Sequence, residues 1–275
     1  MKFKKNEVVI GGRTFFYWEK NRHKSETIVL LHGFPGSHRG LLDLAGHLPP
    51  HWRTIIPDLP ACGQSDALDG VHHLENYSQW LGDFLKKLSV HQCVMAGHSF
   101  GARLALVFAE HNPKKVSRLA LITPVARVDG LIARLVSIEY RVAELLPEAL
   151  KKIWLDYNLH RQIGNAIIFT TASKKRRQEL MEADKKEFAK LDPKINIELF
   201  SEFYRFDLIP VGQKVATPSL IIAGELDQIA TAASVEKLAG QLQHVALEMV
   251  KNGGHLLPLE RPGHCAAIIS KFLSQ

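Results

Sequence analysis

Cys93-Val94-Met95-Ala96-Gly97-His98-Ser99-Phe100-Gly101-Ala102-Arg103-Leu104 is the stretch that decides how this chain is read. A short apolar run, Cys93–Ala96, passes through one tight turn into a helical pattern, Ala102–Glu110, and the turn carries glycine on both sides of a serine. A wholly apolar run feeding straight into a helix predicts a strand of a parallel sheet followed by its crossover helix. The serine then sits on a sharp strand-to-helix turn with its Oγ above the sheet edge and a helix N-terminus behind it. Glycine is needed beside it because side chains would clash where strand and helix backbones meet so closely.

The same alternation continues outward in both directions. Val8-Val9-Ile10 and Thr14–Trp18, separated by Gly11-Gly12, predict an opening hairpin. Thr27–Leu31, Ile55-Ile56, Leu119–Ile122, Leu220–Ala223 and Ala246–Val250 are further buried strands. Tyr77, Trp80, Leu81, Phe84, Leu85 and Leu88 recur at helical spacing, as do apolar positions in Ser234–Leu242 and Pro262–Leu273. Strands alternating with helices imply a mostly parallel sheet covered on both faces. The alternation lapses once, between Val125 and about Tyr204, where only helical periodicity is found and Pro147 and Pro193 are breaks. Leu131, Ile132, Leu135, Ile138, Val142, Leu145 and Leu146 form one apolar face there, continued by Ile153, Trp154, Tyr157 and Phe169. The expected organisation is a core made of residues 1–124 and 208–275, with residues 125–207 as a helical cap inserted between two strands.

The serine calls for partners. His32-Gly33-Phe34-Pro35-Gly36 begins where the strand Thr27–Leu31 ends. A tetrahedral oxyanion needs two preorganised N–H donors, and the amides of Phe34 and Phe100 are placed to supply them. A serine hydroxyl also needs a base, and the base an orienting carboxylate. Of fourteen histidines, His255 follows the last strand in Gly253-Gly254-His255, where glycine lets the backbone swing an imidazole over the sheet edge. Asp227, in Gly224-Glu225-Leu226-Asp227, follows the strand before it, with Glu225 as the competing carboxylate. Arg103, His32 and His98 flank these residues and are candidate substrate contacts, His32 and His98 chiefly as shaping neighbours. Cys62 reads as a space-filling residue.

HGFPG, Asp58-Leu59-Pro60 with Gly63 and Ser65-Asp66, GHSFG, GELD and GGH together resemble the α/β-hydrolase fold family, in the branch with a helical cap after the sixth strand. The resemblance runs from about Thr27 to the C-terminus. It implies Ser99 as nucleophile, Asp227 as acid and His255 as base, in that family's chain order, with the Phe34 and Phe100 amides as oxyanion donors. Two positions depart from the pattern: relatives usually have glycine where this chain has Ala61 and Ala102. Related dehalogenases and epoxide hydrolases use aspartate at the elbow, so Ser99 argues against both. The lyase of the vitamin K pathway on this fold, succinyl-hydroxycyclohexadiene-carboxylate synthase, has an arginine matching Arg103 that meets substrate carboxylates. Arginine follows the elbow in ordinary esterases as well.

Composition narrows the rest. Apolar residues make up 46% and charged residues 23%, the balance of an ordinary globular protein rather than of a disordered or fibrous one. No apolar stretch reaches the ~18 residues of a membrane span, and the basic start lacks the apolar segment of a secretory signal. Three widely spaced cysteines without a CxxC point to a reducing compartment, so a cytoplasmic protein is expected. The net charge of +7 has one dense run, Lys174-Lys175-Arg176-Arg177, which Glu179, Glu182 and Asp184 follow at once, so no nucleic-acid partner is implied. No HExxH, Walker loop, GxGxxG or zinc-spaced cluster occurs, and serine acyl transfer needs no cofactor or metal. Three functions fit these residues: a carboxylesterase acting on a small to medium, partly apolar ester; a carbon–carbon hydrolase or lyase in which Arg103, Arg127 or Arg134 meets an anion; and a non-catalytic ligand-binding protein on the same fold. Oligomeric state has no signal in the sequence.

Overall fold

The computed structural model describes residues 2–128, 131–156 and 174–275, with their side chains except at 131–137, 156, 174–176, 183 and 184. Leu131, Ile132, Leu135 and Arg134 therefore fall outside the described side chains, as do Lys174, Lys175, Arg176 and Asp184, while Tyr157 and Phe169 fall outside the described residues.

One eight-stranded sheet organises the chain in the order β1-β2-β4-β3-β5-β6-β7-β8. The strands are β1 (Lys4–Ile10), β2 (Arg13–Lys20), β3 (Thr27–Leu31), β4 (Arg53–Pro57), β5 (Cys93–His98), β6 (Val116–Ile122), β7 (Ser219–Gly224) and β8 (Val245–Val250). The β1–β2 hairpin is antiparallel and turns on Gly11 and Gly12, both at positive φ. β2 also pairs antiparallel with β4, and every pairing from β4 to β8 is parallel. Strand side chains alternate between two cores. Val29, Leu31, Met95, Leu119, Leu121 and Ile221 face one, against helices α2 (Leu74–Lys87) and α3 (Phe100–His111). Ile28, Leu30, Val94, Ala120, Leu220 and Ile222 face the other, against α1 (Arg39–His47) and the C-terminal helix Pro262–Leu273. Burial on both faces is why these strands read as continuous apolar runs.

Between β6 and β7 the described elements are helical: α4 (Leu131–Glu144), α5 (Glu148–Asp156), α6 (Lys174–Phe188), α7 (Pro193–Arg205) and the short α8 (Ile209–Gly212). Asp192 starts α7 by accepting from the N–H groups of Lys194 and Ile195, with Pro193 in the first turn, the usual chemistry of a helix N-terminus. The apolar stripe expected on α4 needs correction. Ile138, Val142 and Leu145 are exposed, Leu145 by 86%, and α4 instead packs through Tyr140 and Ala143. Tyr140 lies in ring contact with Trp154, Phe200 and Tyr204, so aromatic packing sets which face turns inward. After β7 come α9 (Ala232–Ala239), α10 (Leu257–Glu260) and α11 (Pro262–Leu273).

Candidate active site

Ser99 sits where β5 becomes α3, at φ 52° and ψ −111°, a conformation that costs strain for a residue with a side chain. The flanking glycines are dictated by space. A Cβ on Gly97 would lie 2.2 Å from the Gly101 carbonyl oxygen, and one on Gly101 would lie 2.2 Å from that of Leu31. The turn thus presses the nucleophile strand, its helix and the end of β3 together, which brings the His32–Gly36 turn beside the serine.

The structure joins three of the expected residues in one relay. His255 Nε2 lies 2.9 Å from Ser99 Oγ, and His255 Nδ1 lies 2.8 Å from Asp227 Oδ2. The Asp227 carboxylate can only accept, so Nδ1 carries a proton and Nε2 is free to accept from the serine hydroxyl. Burial pushes the Asp227 carboxyl up, but the neighbouring His255 and the N–H groups of Ile229 and Ala230 outweigh it and hold it below the usual carboxylate range. Glu225, the competing carboxylate, is exposed and accepts from the Asn252 amide instead.

The remaining candidates are placed otherwise. His32 accepts from the Leu59 N–H through Nε2, so its Nδ1 donates to the Gly33 carbonyl at 2.7 Å. His98 Nε2 donates to the main-chain carbonyl of His255 at 3.0 Å. Burial lowers the pKa of both, that of His98 to about 3, so both are neutral around pH 7. Arg103 is wholly buried, and burial lowers it to about 10. Its guanidinium donates to the carbonyls of Val125, of Glu202 at 3.2 Å and of Phe206 at 2.6 Å, and lies over the ring of Phe203. It bridges α3 to the end of α7. Arg127 lies 3.6 Å from Asp207. Cys62 is buried in the core, and burial raises its thiol pKa.

Two features went unread in the sequence. Behind the Gly33–Gly36 turn, the buried Asp58 accepts from the His38 N–H at 2.7 Å and from His38 Nδ1 at 2.8 Å, and His38 stacks on Trp18. A Cβ on Gly63, which has φ +60°, would lie 2.2 Å from the Asp58 carboxylate, so that motif glycine is explained by contact with the motif aspartate. Nearby Ala61 is at φ 61°, in the left-handed region where a glycine would be unstrained. The second feature is Thr123, whose hydroxyl donates to the His255 carbonyl. Its only sequence signal is a polar residue at the carboxyl end of an apolar strand.

Ser99 is only 5% exposed and is covered, not open above the sheet. The ring of Phe34 meets Phe200 of α7 at 5.4 Å, and Phe100 meets Phe203 at 5.9 Å. α7 is fastened to the core on its other side, where Glu198 accepts from the His72 N–H at 2.9 Å and Glu202 from the Leu74 N–H at 3.4 Å. Among the described residues, no group of three or more His, Cys, Asp or Glu side chains could hold a metal ion, and no helix is long and apolar enough to cross a membrane.

Known proteins agree on the architecture. Residues 26–159 match the family model described as alpha/beta hydrolase fold. The (E)-2-((N-methylformamido)methylene)succinate hydrolase of Acinetobacter baylyi is 25% identical over 260 residues, covering 92% of this chain and 91% of that one. A putative 2-succinyl-6-hydroxy-2,4-cyclohexadiene-1-carboxylate synthase of Bacillus subtilis is 25% identical over 280 residues, covering 98% of each. The enol-lactonase from Burkholderia xenovorans LB400 superposes with a TM-score of 0.79 at 18% identity, covering 98% of this chain and 100% of that one. With its mostly parallel eight-stranded sheet, its helices on both faces and these matches, the chain belongs to the alpha/beta-hydrolase superfamily.

Proposed function

We propose that this protein is a serine hydrolase of the carboxylesterase type, acting on a neutral, partly apolar ester. The observation that carries the reading is the unbroken relay Ser99 Oγ, His255 Nε2, His255 Nδ1, Asp227 Oδ2, with its two contacts of 2.9 and 2.8 Å. Ser99 Oγ attacks the acyl carbonyl while His255 Nε2 takes its proton. The N–H groups of Phe34 and Phe100 stabilise the oxyanion, Phe100 as the first residue of α3, whose N–H has no intrahelical partner. Collapse of the tetrahedral intermediate expels the alcohol, which receives the proton from His255. Water, deprotonated by the same imidazole, then releases the acid and restores Ser99. Asp227 keeps His255 in the productive tautomer throughout.

Residues 125–207 act as a cap whose α7 covers the reacting atoms. Phe200 and Phe203, packed on Phe34 and Phe100, favour apolar acyl groups and exclude water from the oxyanion. A carbon–carbon hydrolase or lyase reading needs a cation facing the substrate. The relatives' names span hydrolysis and such a synthase, but here Arg103 NH1 and NH2 are spent on main-chain carbonyls and Arg127 faces Asp207. A small-molecule substrate and independence of cofactors follow from the same reading.

The test is turnover of p-nitrophenyl esters of increasing acyl length beside a carboxylate-bearing dienoic diketone. We expect kcat/KM to rise with each added methylene by a factor equivalent to ~1–3 kcal/mol at most until the pocket is full. Turnover of the diketone with the neutral esters left almost untouched would replace the esterase by the lyase or carbon–carbon hydrolase.

A further inference from the structure

His255 is held in the site by its main chain as well as by its imidazole. Its carbonyl oxygen receives two buried donors, His98 Nε2 at 3.0 Å and Thr123 Oγ1 at 3.0 Å. The two donors come from neighbouring strands, His98 as the last residue of β5 and Thr123 as the residue after β6. A carbonyl only accepts, so the His98 proton is on Nε2 and its Nδ1 is bare. That bare nitrogen faces the turn of Phe34, since a Cβ on Gly33 would lie 2.9 Å from it. One neutral imidazole therefore touches both the base loop and the turn expected to hold the oxyanion.

Thr123 makes the stronger case. It is wholly buried and has φ 44°, in the left-handed region that a β-branched residue rarely occupies. Such strain costs of order 1–3 kcal/mol. Glycine or asparagine would fill the position with less strain; threonine brings a hydroxyl, and that hydroxyl goes to His255. The loop that carries His255 is tied down ahead of the histidine, where the Gly253 carbonyl accepts from the Leu226 N–H at 2.8 Å and Arg261 donates to the carbonyls of Lys251 and Asn252. None of these bonds reaches the His255 peptide itself. Gly253 and Gly254 precede the histidine, and their backbone lies so close to Gly224 that a Cβ there would meet the Gly253 oxygen at 2.4 Å.

We propose that Thr123 and His98 form a two-point clamp on the His255 carbonyl, as positioning residues that keep the imidazole in line between Asp227 and Ser99. The proposal rests on the serine-hydrolase reading. It assigns His98 to the base and not to the substrate.

Thr123→Val keeps the shape and backbone preference of threonine and removes the donor, and Thr123→Ser keeps the donor. Ester hydrolysis and the rate of labelling by a fluorophosphonate, both per titrated active site, separate misplacement of the base from loss of folded protein. We expect Thr123→Val to lower kcat and the labelling rate about 10- to 100-fold, the scale of an ångström-level misplacement, with KM changed less than about threefold. Thr123→Ser should return both rates to within about threefold of the parent. His98→Gln, which can still donate, and His98→Leu, which cannot, should repeat the pattern and decide the matter should Thr123→Val not fold. Labelling of Thr123→Val at the parental rate, or Thr123→Ser as slow as Thr123→Val, overturns the clamp while leaving the hydrolase reading standing. A parent protein that the fluorophosphonate does not label overturns both.

Discussion

At the carboxyl ends of the parallel strands Ser99, His255, Asp227, His98 and His32 each have a polar partner, contributed in most cases by a different strand end. The helices between β6 and β7 behave differently. Among the described residues there, Asn196 and Ser201 are buried without a hydrogen-bond partner for their side chains, and Ile138, Val142 and Leu145 face solvent. The first region is set by backbone geometry. Glycines at van der Waals limits leave one conformation, and the reacting groups ride on it. The second is set by side-chain packing around the rings of Tyr140, Trp154, Phe200 and Tyr204, anchored to the core at a few main-chain groups. A fold built this way can keep one chemistry at the sheet ends while its helical segment changes what reaches it.

Substitutions at the relay should give the largest effects. Ser99→Ala is expected to lower kcat by ~10⁴–10⁶ with the fold intact, His255→Ala by nearly as much, and Asp227→Asn by less. Steady-state ester kinetics with circular dichroism as the folding control measures this. Glu225→Gln proving more harmful than Asp227→Asn would move the acid to the other carboxylate.

Arg103 lies where the two regions meet, and its removal should separate stability from chemistry. Arg103→Met breaks charge-assisted bonds to three carbonyls and should destabilise the protein by roughly 3 kcal/mol in denaturant titrations. The kcat for neutral esters per titrated site should stay within about tenfold, or ~1.4 kcal/mol. A thousandfold loss of kcat/KM with stability unchanged would instead make Arg103 a substrate contact.

Acid should act on the buried histidines of the core. Burial lowers His72 to about 4 and His98 to about 3 in the folded protein, from an ordinary 6.5. The unfolded chain therefore binds more protons between those values, so their contribution is complete above the ordinary value and is lost as pH falls. Each histidine can remove up to ~1.4 kcal/mol per pH unit across that window. Denaturant midpoints should fall from about pH 7 to about pH 5, and His72→Gln should flatten the decline. A flat profile for the parent would show that these imidazoles are not buried neutral.

The smallest effects belong to the outward side chains of α4 and of the turn just after it. Ile138→Lys and Leu145→Lys should change unfolding free energy by less than about 0.5 kcal/mol. A loss above about 2 kcal/mol would mean that this face is packed and that the contrast between the two regions is overdrawn.

Local backbone rules made the sheet and the relay legible in the sequence. Thr27–Leu31 and Cys93–Ala96 could be read as buried parallel strands, and glycines beside Ser99 and before His255 marked the turns that present them. The nine-residue α1 was not read, because Leu41, Leu44 and Ala45 are too few to make a clear stripe. Arg103 was a candidate substrate contact on the strength of the matching arginine in the lyase of this fold, with a structural role as the other reading. Its acceptors lie 22, 99 and 103 residues away, beyond the reach of spacing arguments. At Ile138, Val142 and Leu145 the apolar stripe failed for a related reason. Periodicity finds an apolar face, while Tyr140 turns inward because three other rings from α5 and α7 wait there.

The central claim is that Ser99 alone is activated for acyl transfer. Labelling the folded protein with one equivalent of fluorophosphonate, followed by intact mass and peptide mapping, tests it directly. The account predicts a single adduct on the peptide bearing Ser99, abolished by Ser99→Ala and by pre-acylation with a slowly hydrolysed ester. An adduct on another side chain, or a folded parent protein that takes up no label, would contradict it.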